Sequence, residues 1–299
     1  MTKNQKADAY QIVTDSIIAA LDRGVVPWKR PWEAGFDSPR SLTSGKAYRG
    51  INTMLLGFYS FTSPWWGTYN QIKKQGGQIR KGEHGTPIVF WRVIEKKDKV
   101  TDEVTDKLFL LRYYKVFNIE QADWAEGLPA KVQKLTERQA TQVIEPVAAT
   151  DQMISDYADG PTITRGGSRA FYRPATDSVT LPDRNTFKSG EAEFGTMAHE
   201  LIHSTGHKSR LGRIDMATYG SDTYAKEELV AEMGAAFLAA LYGVTNTEMV
   251  EQSAAYIDGW RKAISEDKKL VVSAAGKAQA AVDRIAPSEP VAEEEEQAA

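Results

Sequence analysis

The segment His199-Glu200-Leu201-Ile202-His203 combines residue types that bind a metal ion and activate water. Residues four apart on a helix lie on one face, one turn apart, so both imidazoles can reach the same ion. Glu200 lies about 100° around the helix from His199, close enough to accept a proton from water activated by that ion. The spacing predicts a divalent-metal site of the kind that hydrolyses peptide bonds.

A third protein ligand is expected from a later helix. The pattern that places a third histidine after a glycine is not met, because Gly206 is present but Ser209 occupies the histidine position. The segment KEELVAEMGAAF instead places two carboxylates four residues apart on one helix face. We predict Glu228 as the ligand, with Glu227 as the alternative, and Glu232 as the carboxylate that orients a ligand histidine.

The donor set favours one class of ion. Two histidines and one carboxylate with an open position are typical of catalytic zinc, so Zn²⁺ is the expected cofactor, with Mn²⁺, Co²⁺ and Ni²⁺ as alternatives. His207 follows His203 by four residues, but Gly206 is expected to end the helix between them, so His207 is predicted to cap or pack. Tyr219 and Tyr224 could each donate a hydrogen bond to an oxyanion or fill a groove.

Hydrophobic periodicity and turn residues predict the elements that hold these groups. A helix is predicted from near Ser189 to Thr205, and a second from about Ala225 to Leu241. The run AFYRPATDSVTLPD predicts a strand pair with a turn between its strands. It could provide an edge strand beside the cleft, to which a peptide adds as a further strand, or a strand of the core.

The composition of the 299 residues excludes other chemistries. Without cysteine, the chain cannot form disulfides, use a catalytic thiol or bind zinc or iron–sulfur clusters through thiolates. Apolar residues make up 41% and charged residues 26%, which suffices for a buried core. No apolar run reaches the roughly 20 residues of a membrane helix, and the first residues do not resemble a signal peptide. We expect a soluble cytoplasmic protein with no membrane partner.

Charge and aromatic residues divide the chain in two. Residues 1–125 contain 19 Lys+Arg against 13 Asp+Glu and six of the seven tryptophans, whereas the rest of the chain contains 18 against 27. In the first part, the pattern predicts a helix from Lys6 to Asp22, a second in INTMLLGFYS, and two strands, TPIVFWRVIEK and KLFLLRYYKVFNI. We therefore predict an α+β fold with two domains, at residues 1–125 and 137–286, joined by a linker at 126–136 and followed by a disordered acidic tail at 287–299.

The cationic and aromatic residues of the first part indicate a surface for single-stranded DNA. Lysine and arginine neutralise phosphates, and aromatic rings stack on unpaired bases. The alternative is that the tryptophans are buried, as expected for Trp91 in a strand. The loops WKRPW and TSGKAYRG are the better candidates for exposed aromatic rings. The predicted DNA-binding residues are Trp28, Lys29, Arg30, Lys46, Tyr48, Arg49, Lys73, Lys74, Arg80 and Lys81, and the neighbouring aromatics are Trp32, Trp65, Trp66 and Tyr69.

Longer stretches resemble a known family. The runs WKRPW, TSGKAYRGIN, WWGTYNQIKKQGGQIRKGEHGTPIVFW and YYKVFNIEQ resemble the N-terminal domain of ArdC-type plasmid antirestriction proteins, which TraC-type conjugative primases share. The runs HELIHSTGHKSRL and YAKEELVAEMGAAF resemble the zincin-like metallopeptidase domain that follows it. The resemblance extends to about residue 285. It implies a single-stranded-DNA-binding α+β domain followed by a mostly helical, zincin-like domain with a small antiparallel sheet.

The resemblance also implies a biological role and a set of site residues. The role is to protect incoming conjugative plasmid DNA from host restriction, and the carried-over residues are His199, His203 and Glu228 as ligands and Glu200 as general base. The alternative is an active zinc endopeptidase, recruited to DNA, that cleaves a restriction-enzyme subunit or another DNA-bound protein. The two differ in whether protection requires peptide hydrolysis.

Overall fold

The computed structural model describes residues 8–24, 26–29, 38–59, 61–97, 104–125, 127–129, 132, 145–214, 222–244 and 254–287. Residue contacts divide the chain into two compact units. Unit 1 comprises Met1–Arg30, Phe36–Thr141 and Gln252–Ser273, and unit 2 comprises Pro31–Gly35, Gln142–Glu251 and Ala274–Ala299. Within the described ranges, no helix has the length and apolar character needed to cross a membrane.

The described elements mix helices with short and long strands, in agreement with the predicted α+β class. The helices are α1 (Ala9–Asp22), α2 (Ile51–Gly57), α3 (Tyr69–Lys74), α4 (Pro146–Asp156), α5 (Gly190–Thr205), α6 (Asp222–Tyr242), α7 (Ala254–Glu266) and α8 (Leu270–Ile285). The strands are β1 (Arg40–Ser41), β2 (Trp65–Gly67), β3 (Gly77–Ile79), β4 (Thr86–Lys97), β5 (Val104–Asn118), β6 (Ala122–Trp124), β7 (Thr162–Arg165), β8 (Phe171–Arg173) and β9 (Ser178–Leu181).

Unit 1 contains a four-stranded sheet in the order β1-β2-β5-β4. The two predicted strand runs are β4 and β5, which pair antiparallel from Thr86↔Val116 to Lys97↔Val104. One face of this pair is buried: Ile88 and Val116 form a core cluster with Leu56 of α2 and Trp66 of β2. A second, two-stranded sheet pairs β3 with β6. Strand β2 is buried on both faces, because Trp66 packs in the core cluster of Ile88 and Trp65 packs in a second one with Leu42 and Ile72.

Residue contacts place helix α7 in unit 1 and not with the other elements of the predicted second domain. The rings of Trp28 and Trp260 meet edge to face at 5.1 Å, and both side chains are buried. Thr14 Oγ1 of α1 donates a hydrogen bond of 3.0 Å to the carbonyl of Lys268. The sequence pattern assigns Gln252–Ser273 to the second domain at 137–286, whereas residue contacts group this segment with unit 1. The apolar face of α1 is covered by a segment far away in sequence, which local patterns do not reveal.

The predicted linker is also partly structural. Val132 is 2% exposed and packs in a core cluster of unit 1 with Leu42, Trp65 and Ile72. Most of the remaining linker and the predicted acidic tail beyond Pro287 lie outside the described residues. Val132, within the predicted linker, therefore packs as part of unit 1.

Unit 2 combines a three-stranded sheet with helices. The predicted strand pair is present as β8 and β9, which pair antiparallel from Phe171↔Thr180 to Arg173↔Ser178. Strand β7 adds to β9 in parallel, so the sheet is mixed rather than purely antiparallel. Its order β7-β9-β8 leaves β8 at an edge of the described sheet. Helix α5 packs against β8 and β9, and α4 and α6 pack against α5.

Candidate metal centre and cleft

Helix α5, which carries the HELIH segment, is fixed at its start by a cap and by ion pairs of the buried Glu193. The side chain of Ser189 accepts a hydrogen bond of 3.2 Å from the backbone N–H of Ala192. Glu193 in the first turn is 2% exposed and pairs with Arg184 at 2.9 Å and with Arg165. These contacts attach α5 to β7 and to the segment after β9.

The end of α5 depends on close packing. The helix ends at Thr205, as predicted, with Gly206 as its C-cap. Gly206 has φ −74°, so a left-handed conformation is not the reason for glycine here. A Cβ atom at this position would lie 2.6 Å from Cγ1 of Ile214, which folds back over the helix end. Glycine is therefore required by the space that Ile214 occupies.

Three predicted residues converge on one point. The Nε2 atoms of His199 and His203 lie 3.0 Å apart. The Oε2 atom of Glu228 on α6 lies 3.5 Å from Nε2 of His199, and its Oε1 atom lies 3.3 Å from Nε2 of His203. All three ligand atoms lie within 4.8 Å of one another. The arrangement brings two imidazoles and one carboxylate within reach of a single divalent ion.

Two further carboxylates face the opposite nitrogens of the imidazole rings. Oε1 of Glu232 lies 3.6 Å from Nδ1 of His199, and Oε1 of Glu227 lies 3.7 Å from Nδ1 of His203. Glu227 is itself held by Arg213, at 2.8 Å. The alternative ligand Glu227 thus lies beside the outer nitrogen of His203, where a carboxylate orients the ring and fixes its tautomer. The sequence pattern did not predict this role of Glu227, because the position of the Glu227 carboxylate depends on its ion pair with Arg213.

The charges of the site favour a cation. Burial disfavours the charged imidazolium of His203, but hydrogen bonds to Glu227 and Glu228 outweigh burial and raise its pKa to about 10. Burial raises the pKa of Glu228, but its hydrogen bonds to His199 and His203 hold it well below the usual value. The carboxylates of Glu227 and Glu228 stabilise positive charge where the two imidazoles meet. The donor set therefore fits a divalent ion, which competes with the proton of His203.

A cleft of about 600 Å³ opens onto this centre. Glu200, which is 9% exposed, lines the cleft beside His199 and His203 and can accept a proton there. A bound ion would supply a Lewis acid and an activated water for hydrolysis. The edge strand β8 forms one wall. The full lining consists of Arg169, Ala170, Phe171, Tyr172, His199, Glu200, His203, Gly212, Arg213, Ile214, Lys226, Glu227, Glu228, Val230 and Lys277.

His207 does not line the described cleft. Nδ1 of His207 lies 2.7 Å from Oγ of Ser209, and the backbone N–H of Gly212 donates to the carbonyl of His207. His207 is therefore a turn residue after α5. Tyr219 and the side chain of Tyr224 lie outside the described residues.

In unit 1, the expectation of an exposed tryptophan in the WKRPW loop is wrong for Trp28. Its side chain is 2% exposed and packs on Trp260. Trp65 and Trp66 are buried as well. The side chain of Lys29 and all of Arg30 and Trp32 lie outside the described residues. The buried apolar surface of these tryptophans contributes to the stability of the fold.

The TSGKAYRG loop is a compact turn. Gly45 has φ 76°, and its N–H donates to the carbonyl of Ser41 at 2.8 Å, which requires a residue that tolerates the left-handed region. Tyr48 is half-buried against the cluster that contains Trp66. Lys46 and Arg49 are half-buried too. This loop therefore presents less free surface than its composition indicates.

The predicted lysines and Arg80 differ in exposure and partners. Lys73, Lys74 and Lys81 are exposed. Arg80 pairs with Glu83 at 3.1 Å and with Asp123 at 3.5 Å, and it donates to the carbonyl of Ala122. Arg80 thus holds the paired strands β3 and β6 in place, which is a structural role.

The sheet presents an aromatic and cationic face that the sequence analysis missed. Tyr113, Lys115 and Phe117 alternate along β5 and therefore point to the same face. Tyr69 of α3 lies beside Phe117, with ring centroids 6.5 Å apart. Tyr69 is 45% and Tyr113 is 37% exposed, and Lys115 is exposed. Knowledge of the sheet register was needed to find this face.

Comparisons with known proteins agree with this architecture. A model described as the N-terminal domain of anti-restriction factor ArdC matches residues 7–117, and one described as a zincin-like metallopeptidase matches residues 148–277. Fold and site thus define a two-domain protein with an ArdC-type N-terminal domain and a zincin-like domain. The structure is similar to the metal-free and Mn(II)-bound crystal structures of the antirestriction ArdC protein from plasmid R388. The TM-scores are 0.72 and 0.74 and the identities 35% and 36%, over 93% of this chain and 97% of that one.

The chain belongs to the ArdC family of antirestriction proteins. Protein y4eC of Sinorhizobium fredii is 32% identical over 94% of this chain and 92% of its own length. Two DNA primases TraC of Escherichia coli are 37% and 36% identical over 94% of this chain. The matched region spans 27% and 20% of the length of those primases.

Proposed function

We propose that this protein binds single-stranded DNA through unit 1 and protects incoming conjugative plasmid DNA from host restriction in the cytoplasm. The observation that carries the proposal is a face on which Tyr69, Tyr113 and Lys115 are exposed, with the partly buried Phe117 beside Tyr69. It combines rings that can stack on bases with a lysine that can neutralise a phosphate. The relatedness to the R388 ArdC protein supports the biological role.

The geometry of this face suits a strand of unpaired nucleotides. Tyr113 and Phe117 are four residues apart on β5, which corresponds to roughly 13 Å, and Lys115 lies midway between them. Lys73 follows Tyr69 by one turn of α3 and so lies on the same side of that helix. Stacking on rings needs bases that are not already stacked in a duplex, so we expect a preference for single strands.

We propose that unit 2 binds one divalent ion through His199, His203 and Glu228, with Glu200 as general base. The Mn(II)-bound structure of the R388 ArdC protein supports Mn²⁺ as an occupant, and the donor set equally suits Zn²⁺. The second candidate function is endopeptidase activity on a DNA-bound protein or a restriction-enzyme subunit. The cleft and the position of Glu200 favour it chemically.

The DNA-binding proposal is tested with a fluorescein-labelled oligonucleotide and fluorescence anisotropy. Tyr69→Ala and Tyr113→Ala should each weaken binding by roughly 1–3 kcal/mol, the value of one stacked base. Tyr59 is 45% exposed and contacts Trp66 on the opposite face of the sheet, so Tyr59→Ala is a matched control that should bind normally. Equal affinities for the parent, Tyr69→Ala and Tyr113→Ala proteins would refute the assignment of this face.

A further inference from the structure

The cleft at the metal centre is cationic, although the surrounding part of the chain is acidic. Its lining includes the cations Arg169, Arg213, Lys226 and Lys277, against three carboxylates, those of Glu200, Glu227 and Glu228. Residues 126–299 as a whole contain 27 Asp+Glu and only 18 Lys+Arg. A divalent ion at the centre would add to the positive charge of the cleft. The net charge of the cleft lining is thus positive, whereas the net charge of residues 126–299 as a whole is negative.

Three of these four cations have no anionic partner among the described residues. Arg213 has a side chain that is 9% exposed and pairs with Glu227, so its charge is already balanced. Arg169, Lys226 and Lys277 are exposed and form no ion pair within the described ranges. They come from three different places in unit 2: the segment before β8, helix α6 and helix α8. Unpaired cations that meet from separate elements around one cleft attract an anionic ligand.

The wall of the cleft favours a peptide over a nucleic acid. Strand β8 lies at an edge of its sheet, and Phe171 and Tyr172 on this strand line the cleft. An edge strand offers backbone N–H and C=O groups to an extended peptide, which has matching groups. A nucleotide strand has no amide ladder to pair with this edge.

We propose that the metal cleft takes extended peptide segments rich in aspartate and glutamate, which Arg169, Lys226 and Lys277 recognise. This inference goes beyond the proposed function, because DNA binding by unit 1 does not require any ligand in this cleft. It assigns a ligand class to the site: an acidic stretch of a protein.

The probe is a fluorescein-labelled decapeptide rich in glutamate, compared with the same peptide carrying glutamine or lysine in place of glutamate. Binding to the full chain in the presence of Mn(II) is measured by fluorescence anisotropy, and the recovered peptide is checked by mass spectrometry. We expect the glutamate peptide to bind most tightly. Lys226→Gln and Lys277→Gln should each weaken its binding roughly three- to fivefold, as expected for one exposed charge pair. Added salt should reduce the preference.

A matched control removes the same charge outside the cleft. Lys188 is an exposed lysine of unit 2 that does not line the cleft, so Lys188→Gln should leave peptide binding unchanged. The Mn(II) content of each variant shows that the metal centre is intact. Equal binding of the glutamate and glutamine peptides, or no binding of either, overturns the inference.

The same variants are tested with a labelled oligonucleotide. If Lys226→Gln and Lys277→Gln weaken oligonucleotide binding but not glutamate-peptide binding, the cleft belongs to a DNA path and the inference is wrong. If the parent protein fails to bind the oligonucleotide but retains the preference for the glutamate peptide, the proposed DNA-binding function fails and the inference stands. The two proposals can therefore fail separately.

Discussion

Gly234 of α6 faces Ile202 of α5 so closely that a Cβ atom on Gly234 would lie 2.6 Å from Cδ1 of Ile202. Ile202 directly precedes His203 and is fully buried. Glu228 lies on the same helix as Gly234, less than two turns away. The close approach of the two helices at this point therefore sets the distance from the Glu228 carboxylate to the two imidazoles.

Gly234→Ala should force α5 and α6 apart. We expect a loss of roughly 1–3 kcal/mol in the free energy of unfolding, as for other overpacked core positions, together with weaker Mn(II) binding. Denaturant unfolding and isothermal titration calorimetry measure the two effects. In the control Gly276→Ala, the new Cβ atom meets nothing within 4 Å, so stability should be equal or slightly higher. Identical behaviour of the two variants would argue against the packing account.

Asp177→Asn should lower stability at neutral pH. Asp177 accepts a hydrogen bond from Arg210, at 3.0 Å, and one from the hydroxyl of Tyr172, at 2.8 Å. Burial raises the pKa of this carboxyl, but these bonds outweigh burial and hold the pKa below its usual 3.8. Asparagine keeps the shape and tolerates the backbone φ of 46° at this turn. The expected loss in the free energy of unfolding at pH 7 is about 2 kcal/mol.

The pH dependence of that loss has a definite sign. A carboxyl with a lowered pKa in the folded state stabilises the protein above its unfolded pKa, and this contribution disappears as pH falls through the folded pKa. The difference between parent and Asp177→Asn should therefore be constant above about pH 5 and vanish in strong acid. Urea unfolding at a series of pH values measures it. A difference that grows on acidification would contradict the assigned pair.

Removing two exposed lysines of α3 should reduce the salt dependence of DNA binding. Each phosphate contact on a single strand contributes about 0.7 to the slope of log K against log salt concentration. The double variant Lys73→Gln, Lys74→Gln should therefore lower the slope by about 1.4. Lys262 is an exposed lysine of α7 in the same unit, and Lys262→Gln serves as the control with an unchanged slope. An unchanged slope in the double variant would place the phosphates elsewhere.

Glu200→Gln separates DNA protection from hydrolysis. The glutamine keeps the size of the side chain but cannot accept a proton, so any peptide hydrolysis should fall by roughly 10²–10⁴-fold. Metal binding should persist, because Glu200 is not among the three converging ligand residues. We expect plasmid transfer into a restricting recipient to remain protected. Loss of protection with normal metal content would favour the endopeptidase alternative.

The sequence predicted the approach of His199 to His203 in the candidate metal centre because this approach rests on local geometry. The i, i+4 spacing within α5 places His199 and His203 on one face, whereas the position of Glu228 depends on how α6 packs against α5. The orienting role of Glu227 was not visible, since it depends on Arg213, which lies in the turn between the helices. Short-range periodicity determines which side chains share a face, and it does not reveal partners from other elements.

The residues proposed to bind DNA were harder to predict, because their exposure depends on contacts with other elements. Trp28 lies in a loop rich in proline and lysine, yet Trp260, from a distant part of the sequence, covers it. Conversely, Tyr113 and Lys115 occur within an apolar strand, and their exposure follows from which face of β5 the core covers. Composition identified unit 1 as cationic and aromatic, but burial depends on tertiary contacts that composition does not contain.

The most direct test of the central claim is the metal content of the purified protein beside that of Glu228→Ala. After dialysis against Mn(II) or Zn(II), elemental analysis should find one ion per chain in the parent. It should find almost none in Glu228→Ala, because only two ligands remain. Glu191→Ala, a carboxylate change in the first turn of α5, is the control and should retain the ion. A Glu228→Ala protein that binds one ion as tightly as the parent would contradict the proposed centre.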